Sequence, residues 1–178
     1  MSVGASSPGE ALSRSRRSKL LRAVIDVLVV VAVFLGIHAY QTRDSARGPA
    51  PAWRAATIDG QQLALAEFRG RPIALHFWAS WCGVCSAMRP NLRSFAKDQR
   101  VTSVASSSGD DTTVRGFVVQ HALDAPVIAD PSGAIAKSYG VRAFPTTFFV
   151  EARGVIRHVE VGYTTELGLR LRLWSAGF

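Results

Sequence analysis

The longest apolar stretch of the chain lies near its N-terminus. From Ala23 to Tyr40 only one aspartate and one histidine interrupt a run of apolar residues. As an α-helix this stretch would be about 27 Å long, which is just enough to cross the hydrocarbon core of a bilayer. Residues 1–18 are rich in Ser and Arg and show no apolar periodicity, so we expect them to lack regular structure. The pattern predicts a transmembrane anchor at residues 20–40 after a basic tail at residues 1–19.

Positive charge precedes the apolar stretch and predicts its orientation. The positive-inside rule leaves the N-terminus in the cytoplasm and carries the chain after residue 40 across the membrane. The uninterrupted apolar core, Val27–Ile37, is also short enough for a cleaved signal peptide, so this alternative stays open. Both interpretations deliver the rest of the chain to the same side of the membrane. The basic residues are Arg14, Arg16, Arg17, Lys19 and Arg22, against the single acid Glu10.

A different pattern begins after the apolar stretch. Residues 41–52 are polar and end in Gly-Pro-Ala-Pro-Ala, which predicts an extended linker that holds the next domain away from the membrane. Trp53–Thr57 and Gln62–Leu65 flank Asp59-Gly60, which is typical of a β-hairpin. Further strands are predicted at residues 72–78, 101–105, 126–129, 146–150 and 155–161, and helices at 82–96, 110–123, 131–140 and from 164 onward.

Strands that alternate with helices, followed by a terminal hairpin and helix, predict a mixed α/β sandwich over residues 53–178. Thr164 or Thr165 can cap the last helix. Its residues Leu167, Leu171 and Trp174 recur at helical spacing, so we expect these three side chains to face the core.

Composition and charge exclude some classes of function. The chain has 178 residues, of which 48% are hydrophobic, and its length suggests one domain with an appendage. The formal net charge of +8 is partly local to the N-terminal tail. The other basic residues are scattered singly without interleaved aromatic residues, so nucleic-acid binding is not predicted.

The two cysteines of the chain, Cys82 and Cys85, form a C-x-x-C motif between a predicted buried strand and a predicted helix. Unpaired N–H groups and the macrodipole at a helix N-terminus stabilise a thiolate, the form that attacks disulfides. We therefore interpret Cys82 as the attacking thiol and Cys85, one helical turn further on, as the resolving thiol. A zinc site would need two more ligands, and no second cysteine pair exists. A copper site and an inert structural disulfide also remain open.

Several motifs together resemble the thioredoxin fold. Phe77–Cys85 looks like its active site, Pro90 matches a proline in its first helix, and Phe144–Thr147 matches the loop whose proline is cis in that fold. Residues 111–129 resemble the insert of the membrane-anchored TlpA-like branch. This resemblance implies a three-layer α/β sandwich with an N-terminal β-hairpin and a central αβ insert, preceded by one transmembrane helix. It also implies that Phe144, Pro145 and Trp81 bind the substrate.

The likeness extends over residues 41–178. The Gln-Thr-Arg-Asp segment after the anchor and the ending Glu160–Leu171 resemble the periplasmic thioredoxin-like proteins called suppressor of copper sensitivity protein D. Trp81 next to Cys82 forms either an exposed apolar platform for a partner or simply a packed side chain. The backbone of Phe144 is placed by the resemblance to pair with an incoming peptide as an added strand.

Two positions depart from the family pattern. Thioredoxin has a buried Asp six residues before its first Cys, where this chain has His76, and many TlpA-like reductases have a Glu where this chain has Met88. Either acid would help to move the proton of the buried thiol. His76 is thus a candidate proton relay near neutral pH, and the alternative is a hydrogen-bonded histidine on a buried strand. His121 and His158 have no partner motif, and we expect them on the surface.

These features predict a thiol–disulfide oxidoreductase in the periplasm, anchored in the inner membrane by a single pass. The resemblance favours a protein disulfide reductase that needs no cofactor or metal and receives its electrons from a membrane electron conduit. A disulfide oxidase or isomerase and a role in cytochrome c maturation are related alternatives. From other classes, a copper-binding or copper-delivery protein that uses the Cys pair and a noncatalytic adaptor also remain.

Overall fold

The computed structural model describes residues 8–121, 123 and 125–177, and only the backbone of residues 8–18, 20, 34 and 38. The chain forms two units, residues 1–40 and residues 41–178. The described residues of the first unit belong to helix α1, which spans Pro8–Thr42. Its part Leu21–Thr42 is long and apolar enough to cross a membrane, a criterion that a signal sequence also meets.

The expectation that residues 1–18 lack regular structure is wrong from Pro8 onward, and residues 1–7 lie outside the described part. Proline is tolerated in the first turn of a helix because its missing N–H would have no partner there. Once a helix exists, each further residue adds a hydrogen bond at little cost, so the basic segment continues the apolar helix.

The second unit contains a six-stranded sheet in the order β1-β8-β7-β4-β5-β6 and a two-stranded hairpin of β2 and β3. Strands β4, β5 and β6 are parallel, whereas β7 is antiparallel to β4 and β8 to β7. The strands are β1 Gly48–Pro49, β2 Arg54–Ala56, β3 Gln62–Ala64, β4 Ile73–Trp78, β5 Val101–Ser106, β6 Val127–Asp130, β7 Thr146–Val150 and β8 Val155–Val161. The helices are α2 Gly83–Ala96, α3 Asp111–His121, α4 Ala134–Ser138 and α5 Glu166–Ser175, and a 3₁₀ turn spans Leu65–Phe68.

All six residues of strand β4 are buried, so the sheet is covered on both faces at this strand. Leu75 and Phe77 point into a core shared with the hairpin and α4, and Ala74 points into a core shared with α2 and α5. Trp78 belongs to a third cluster, with the Cys pair and α3. Successive side chains of a strand alternate between its faces, so an apolar run such as β4 must be covered on both sides. The three-layer thioredoxin-like α/β fold with its hairpin and αβ insert is confirmed.

The segment predicted as a free linker, residues 41–52, packs on the domain instead. Gly48 and Pro49 form β1, an edge strand opposite Ile156 and Val155 of β8. The Ala50 N–H donates to the Gly154 carbonyl at 2.9 Å. Proline is compatible with an edge strand, where the missing donor interrupts no ladder, so a Pro-rich segment can close the open side of β8.

The predicted core face of α5 is also wrong. Leu167, Leu171 and Trp174 are each more than half exposed, and the side chains buried against the sheet and α2 are Leu169 and Leu173. Both sets recur at helical spacing because α5 is apolar on two sides. Periodicity alone therefore could not choose between the two faces.

Candidate active site

The Cys pair lies where β4 ends and α2 begins. Cys82 is the N-cap residue of α2, with extended backbone angles, and its Sγ accepts the Cys85 N–H at 3.1 Å. The preceding turn is held by two hydrogen bonds: the Cys82 N–H donates to the Ala79 carbonyl at 3.1 Å, and the Ser80 N–H donates to Ser108 Oγ at 2.9 Å. A buried strand, a tight turn and a capped helix thus place Cys82 Sγ at the positive end of α2.

Cys82 and Cys85 are joined as a disulfide, and each is 8% exposed. Exposure therefore does not distinguish them, but their neighbours do. Cys82 Sγ lies 3.5 Å from the Phe144 carbonyl oxygen in the loop before β7, whereas Cys85 lines a small cavity together with His76.

The loop before β7 brings the predicted substrate-binding residues to Cys82. The Phe144–Pro145 peptide bond is cis, as the resemblance implied. The Phe144 ring meets the Trp81 ring edge-on, with centroids 5.8 Å apart. Trp81 is 68% exposed, and its Nε1 donates to the Ser107 carbonyl at 3.0 Å. Trp81 is therefore both an exposed apolar surface and an oriented side chain, which combines the two interpretations left open for it.

His76 lies inside the sheet, on β4 directly opposite Thr147 of β7. It is 2% exposed, and its Nδ1 is 2.9 Å from Thr147 Oγ1. Burial lowers the pKa of His76 from 6.5 to about 4, because charging an imidazole away from water is unfavourable. His76 is therefore neutral at neutral pH. Met88, at the position of the other missing acid, is buried as well.

A small cavity is lined by both His76 and Cys85. Its volume of about 10 Å³ is close to the minimum that holds one water molecule. The indole Nε1 of Trp78, whose side chain lines the cavity, has no hydrogen-bond partner. Such a buried donor is a ready partner for one water molecule. The lining residues are His76, Trp78, Ala79, Cys85, Ser86, Arg89, Leu92, Phe117 and Leu123.

Arg89, which lines this cavity, and its partner His121 were missed by the sequence analysis. Arg89 Nη1 is 2.9 Å from His121 Nδ1, Arg89 Nη2 donates to Ser86 Oγ at 2.8 Å, and the guanidinium lies 5.4 Å from the centre of the Phe117 ring. Since guanidinium only donates, His121 Nδ1 must be the acceptor. The only sequence signal for this was that Arg89 follows Cys85 by four residues on α2. We expected His121 on the surface, and it is instead partly buried beside Arg89.

Comparisons with known proteins agree with this site. The chain matches the family model described as Redoxin over residues 45–168. It is 30% identical over 162 residues to the thiol-disulfide oxidoreductase ResA of Bacillus cereus, covering 85% of this chain and 93% of that protein.

Two solved structures are also similar to it. One is the exposed lipoprotein thioredoxin Etrx1 of Streptococcus pneumoniae, with 26% identity, a TM-score of 0.65 and coverage of 70% of this chain and 99% of that one. The other is StoA of Bacillus subtilis, with 26% identity, a TM-score of 0.60 and coverage of 71% and 97%. Together with the Cys82–Cys85 pair, these matches show that the chain belongs to the Redoxin family, as a thiol–disulfide oxidoreductase.

Proposed function

We propose that this protein is a membrane-anchored, extracytoplasmic protein disulfide reductase in which Cys82 attacks and Cys85 resolves. The observation that carries the proposal is the position of Cys82 Sγ: it caps α2, accepts the Cys85 N–H and lies beside the Phe144 carbonyl. A hydrogen-bond donor and a helix N-terminus stabilise the anionic form of a sulfur there.

The chemistry follows from this arrangement. In the reduced protein the Cys82 thiolate attacks one sulfur of a substrate disulfide, a mixed disulfide forms, and the other substrate sulfur leaves as a thiolate. The Cys85 thiolate then attacks Cys82 Sγ and releases the second substrate thiolate. The substrate gains two electrons, and the protein is left with the Cys82–Cys85 disulfide of the structure.

The rim of the site fits an extended polypeptide. Trp81 offers an exposed apolar surface, and the main chain of Phe144 lies beside Cys82 Sγ. A peptide that pairs with this main chain as an added strand would bring its own disulfide to Cys82. Pro145, buried in the same loop, lacks an N–H donor and shapes the turn, and we keep it with Phe144 and Trp81 as part of the proposed substrate-binding site.

We further propose that His76 relays the proton of Cys85 through one water molecule in the shared cavity. A histidine with a pKa of about 4 stays neutral at neutral pH, so it would accept a proton at one ring nitrogen while it gives one up at the other. Replacement His76→Leu should slow thiol exchange and alter its pH profile. An unchanged pH profile would leave His76 as a hydrogen-bonded core residue only.

The membrane anchor and the electron source belong to the same proposal. The apolar helix Leu21–Thr42 suits a single pass through the inner membrane, which leaves the domain in the periplasm. A dithiol in an oxidising compartment stays oxidised unless another protein reduces it. The chain has no other cysteine that could pass on electrons, so we propose a membrane electron conduit as the redox partner.

A narrower proposal follows from the resemblance of Glu160–Leu171 to suppressor of copper sensitivity protein D, namely that the client proteins belong to copper tolerance. Direct copper delivery has no observation in its favour. Among the described residues, no group of three or more His, Cys, Asp or Glu side chains could hold a metal ion.

The direction of the reaction can be tested in cells. Thiol trapping with a maleimide reagent should find the Cys82–Cys85 pair mostly reduced in wild-type membranes and oxidised when the membrane electron supply is blocked. A pair that stays oxidised under both conditions while client proteins gain disulfides would show an oxidase instead. Protection of the domain from protease added to intact spheroplasts would contradict the periplasmic location.

A further inference from the structure

The segment that follows α1 is packed onto the loop that leads to the active site. We call residues Thr42–Ala46 the N-terminal clamp. The Ser45 N–H donates to the Thr42 carbonyl at 3.1 Å, and the side chains of Thr42 and Ser45 are both buried. The Ala46 N–H donates at 2.9 Å to the carbonyl of Tyr139, the last residue before that loop. The clamp is therefore an ordered part of the domain and is bound at the start of the loop.

Gly140 makes this contact possible. It has a left-handed backbone, with φ of 65°, and a Cβ atom built there would overlap the main-chain carbonyl of Asp44. The Asp44 carboxylate also forms an ion pair with Arg142 Nη2. The clamp thus contacts the loop at two residues. At Gly140 the contact is between backbones and only glycine permits it, and at Arg142 it is a charge pair.

The same loop carries the predicted substrate-binding residues. Phe144 follows Arg142 by two residues, and its carbonyl lies beside Cys82 Sγ. The far end of the loop is held separately, by the Thr146 hydroxyl, which donates to the Ala143 carbonyl at 2.7 Å. The near end is held to α4 by two backbone hydrogen bonds, from the Gly140 N–H to the Lys137 carbonyl and from the Val141 N–H to the Ala136 carbonyl, and on its other side by the clamp.

We infer that the N-terminal clamp is a positioning element for substrate binding: Asp44, lying over Gly140 and paired with Arg142, holds the Phe144–Pro145 loop at the distance from Cys82 that a polypeptide substrate requires. This inference rests on the proposed function of that loop. Because α2 and its N-cap make none of the clamp contacts described above, loss of the clamp should weaken substrate binding and leave the reactivity of the Cys pair unchanged. The segment that joins the anchor to the domain thereby becomes part of the active site.

The test compares two glycine substitutions in the full-length chain, purified in lipid nanodiscs. Gly140→Ala forces Asp44 away from the loop. Gly60→Ala is the matched control, because Gly60 has a similar φ of 85° but nothing within 4 Å of its Cβ position. The readouts are KM and kcat for reduction of insulin disulfides with dithiothreitol as the electron donor, and the rate at which dithiothreitol alone reduces the Cys82–Cys85 disulfide.

We expect Gly140→Ala to raise KM for insulin roughly tenfold or more, the scale of a misplaced binding group, with kcat and the dithiothreitol rate retained. Gly60→Ala should leave all three values at the wild-type level. A KM for Gly140→Ala no higher than that of Gly60→Ala would overturn the inference, and so would an equal loss in the dithiothreitol rate. A wild-type chain that fails to reduce insulin at all would count against the proposed function itself.

A charge exchange keeps the inference testable if Gly140→Ala does not fold. Asp44→Lys places a third cation beside Arg43 and Arg142, both of which pair with Asp44 at an exposed position. It should raise KM for insulin by roughly two- to fivefold, the range of exposed charge pairs. Adding Arg142→Asp to this variant should restore the wild-type KM. A KM unaffected by Asp44→Lys, or one that the exchange fails to rescue, would rule out positioning through this pair.

Discussion

The buried imidazole of His76 makes a quantitative prediction about stability and pH. In the folded domain the pKa of His76 falls from 6.5 to about 4 because of burial. Between these two values the unfolded chain binds a proton that the folded chain does not, so stability must fall as the pH is lowered through this window. Well above pH 6.5 the imidazole is neutral in both the folded and the unfolded state. His76 therefore causes no loss of stability there.

The magnitude follows from the linkage relation. At about 1.4 kcal/mol per pKa unit, the shift is equivalent to roughly 3 kcal/mol, most of which is lost on going from pH 7.5 to pH 4.5. With an m-value of about 2 kcal/mol/M in urea, the unfolding midpoint of the domain should fall by about 1 M from this residue alone.

The assay is urea unfolding of residues 41–178, a compact unit that contains both sheets and all three apolar clusters. Wild type is compared with His76→Gln, which does not titrate but keeps a hydrogen-bonding group opposite Thr147. Carboxylates such as Asp98 and Glu166, whose pKa values are lowered by hydrogen bonds from Arg170, also destabilise the fold at low pH. They are common to both proteins and cancel in the comparison. Midpoints that fall in parallel for wild type and His76→Gln would refute a depressed His76 pKa.

Three further predictions concern single side chains. In urea titrations Leu173→Ala should lower the free energy of unfolding by about 2–5 kcal/mol, because Leu173 is buried. Leu171→Ala should lower it by less than about 0.5 kcal/mol, because Leu171 is exposed. The reverse order would support the face of α5 that we first predicted. Thr165→Ala should cost about 1 kcal/mol in the same assay, because it removes the cap on the Gly168 N–H at 3.2 Å, and no loss would exclude a capping role. Trp81→Ala should raise KM for insulin by roughly fivefold or more, because an exposed aromatic side chain can anchor a large partner. The increase in KM for oxidised glutathione should be smaller. Equal increases for both substrates would contradict a docking role.

Much of the fold could be predicted because each local signal agreed with the final structure. The apolar run of β4 was recognisable as a strand buried on both faces, and the strands at Thr146–Val150 and Val155–Val161 have the predicted bounds. The Asp59-Gly60 turn indicated the β2–β3 hairpin. The resemblance supplied the cis bond before Pro145, which no local pattern indicates.

Two of the errors share one physical cause, which is that tertiary contacts chose between alternatives of equal local merit. Helix α5 is apolar on two faces, and only the position of the sheet and α2 decides that Leu173 is buried and Leu171 is not. Residues 41–52 read as a linker because a Pro-rich edge strand has no apolar alternation, and its partner β8 lies more than a hundred residues away.

Parts of the site depend on contacts that are remote in sequence. The approach of Asp44 to Gly140 leaves no trace at either position beyond one glycine in a turn. Likewise, Arg89 on α2 and His121 at the end of α3 are 32 residues apart and meet only through the fold. The Cys pair was predictable because its strand, turn and helix are contiguous in the chain.

The central claim is that Cys82, placed at the start of α2, attacks foreign disulfides and Cys85 resolves them. The most direct test is to express full-length Cys85→Ser and Cys82→Ser in the native membrane and separate their disulfide-linked complexes on nonreducing gels. The account predicts that Cys85→Ser accumulates mixed disulfides with other proteins through Cys82, and that Cys82→Ser accumulates few or none. Equal trapping by both variants, or none by Cys85→Ser, would contradict it.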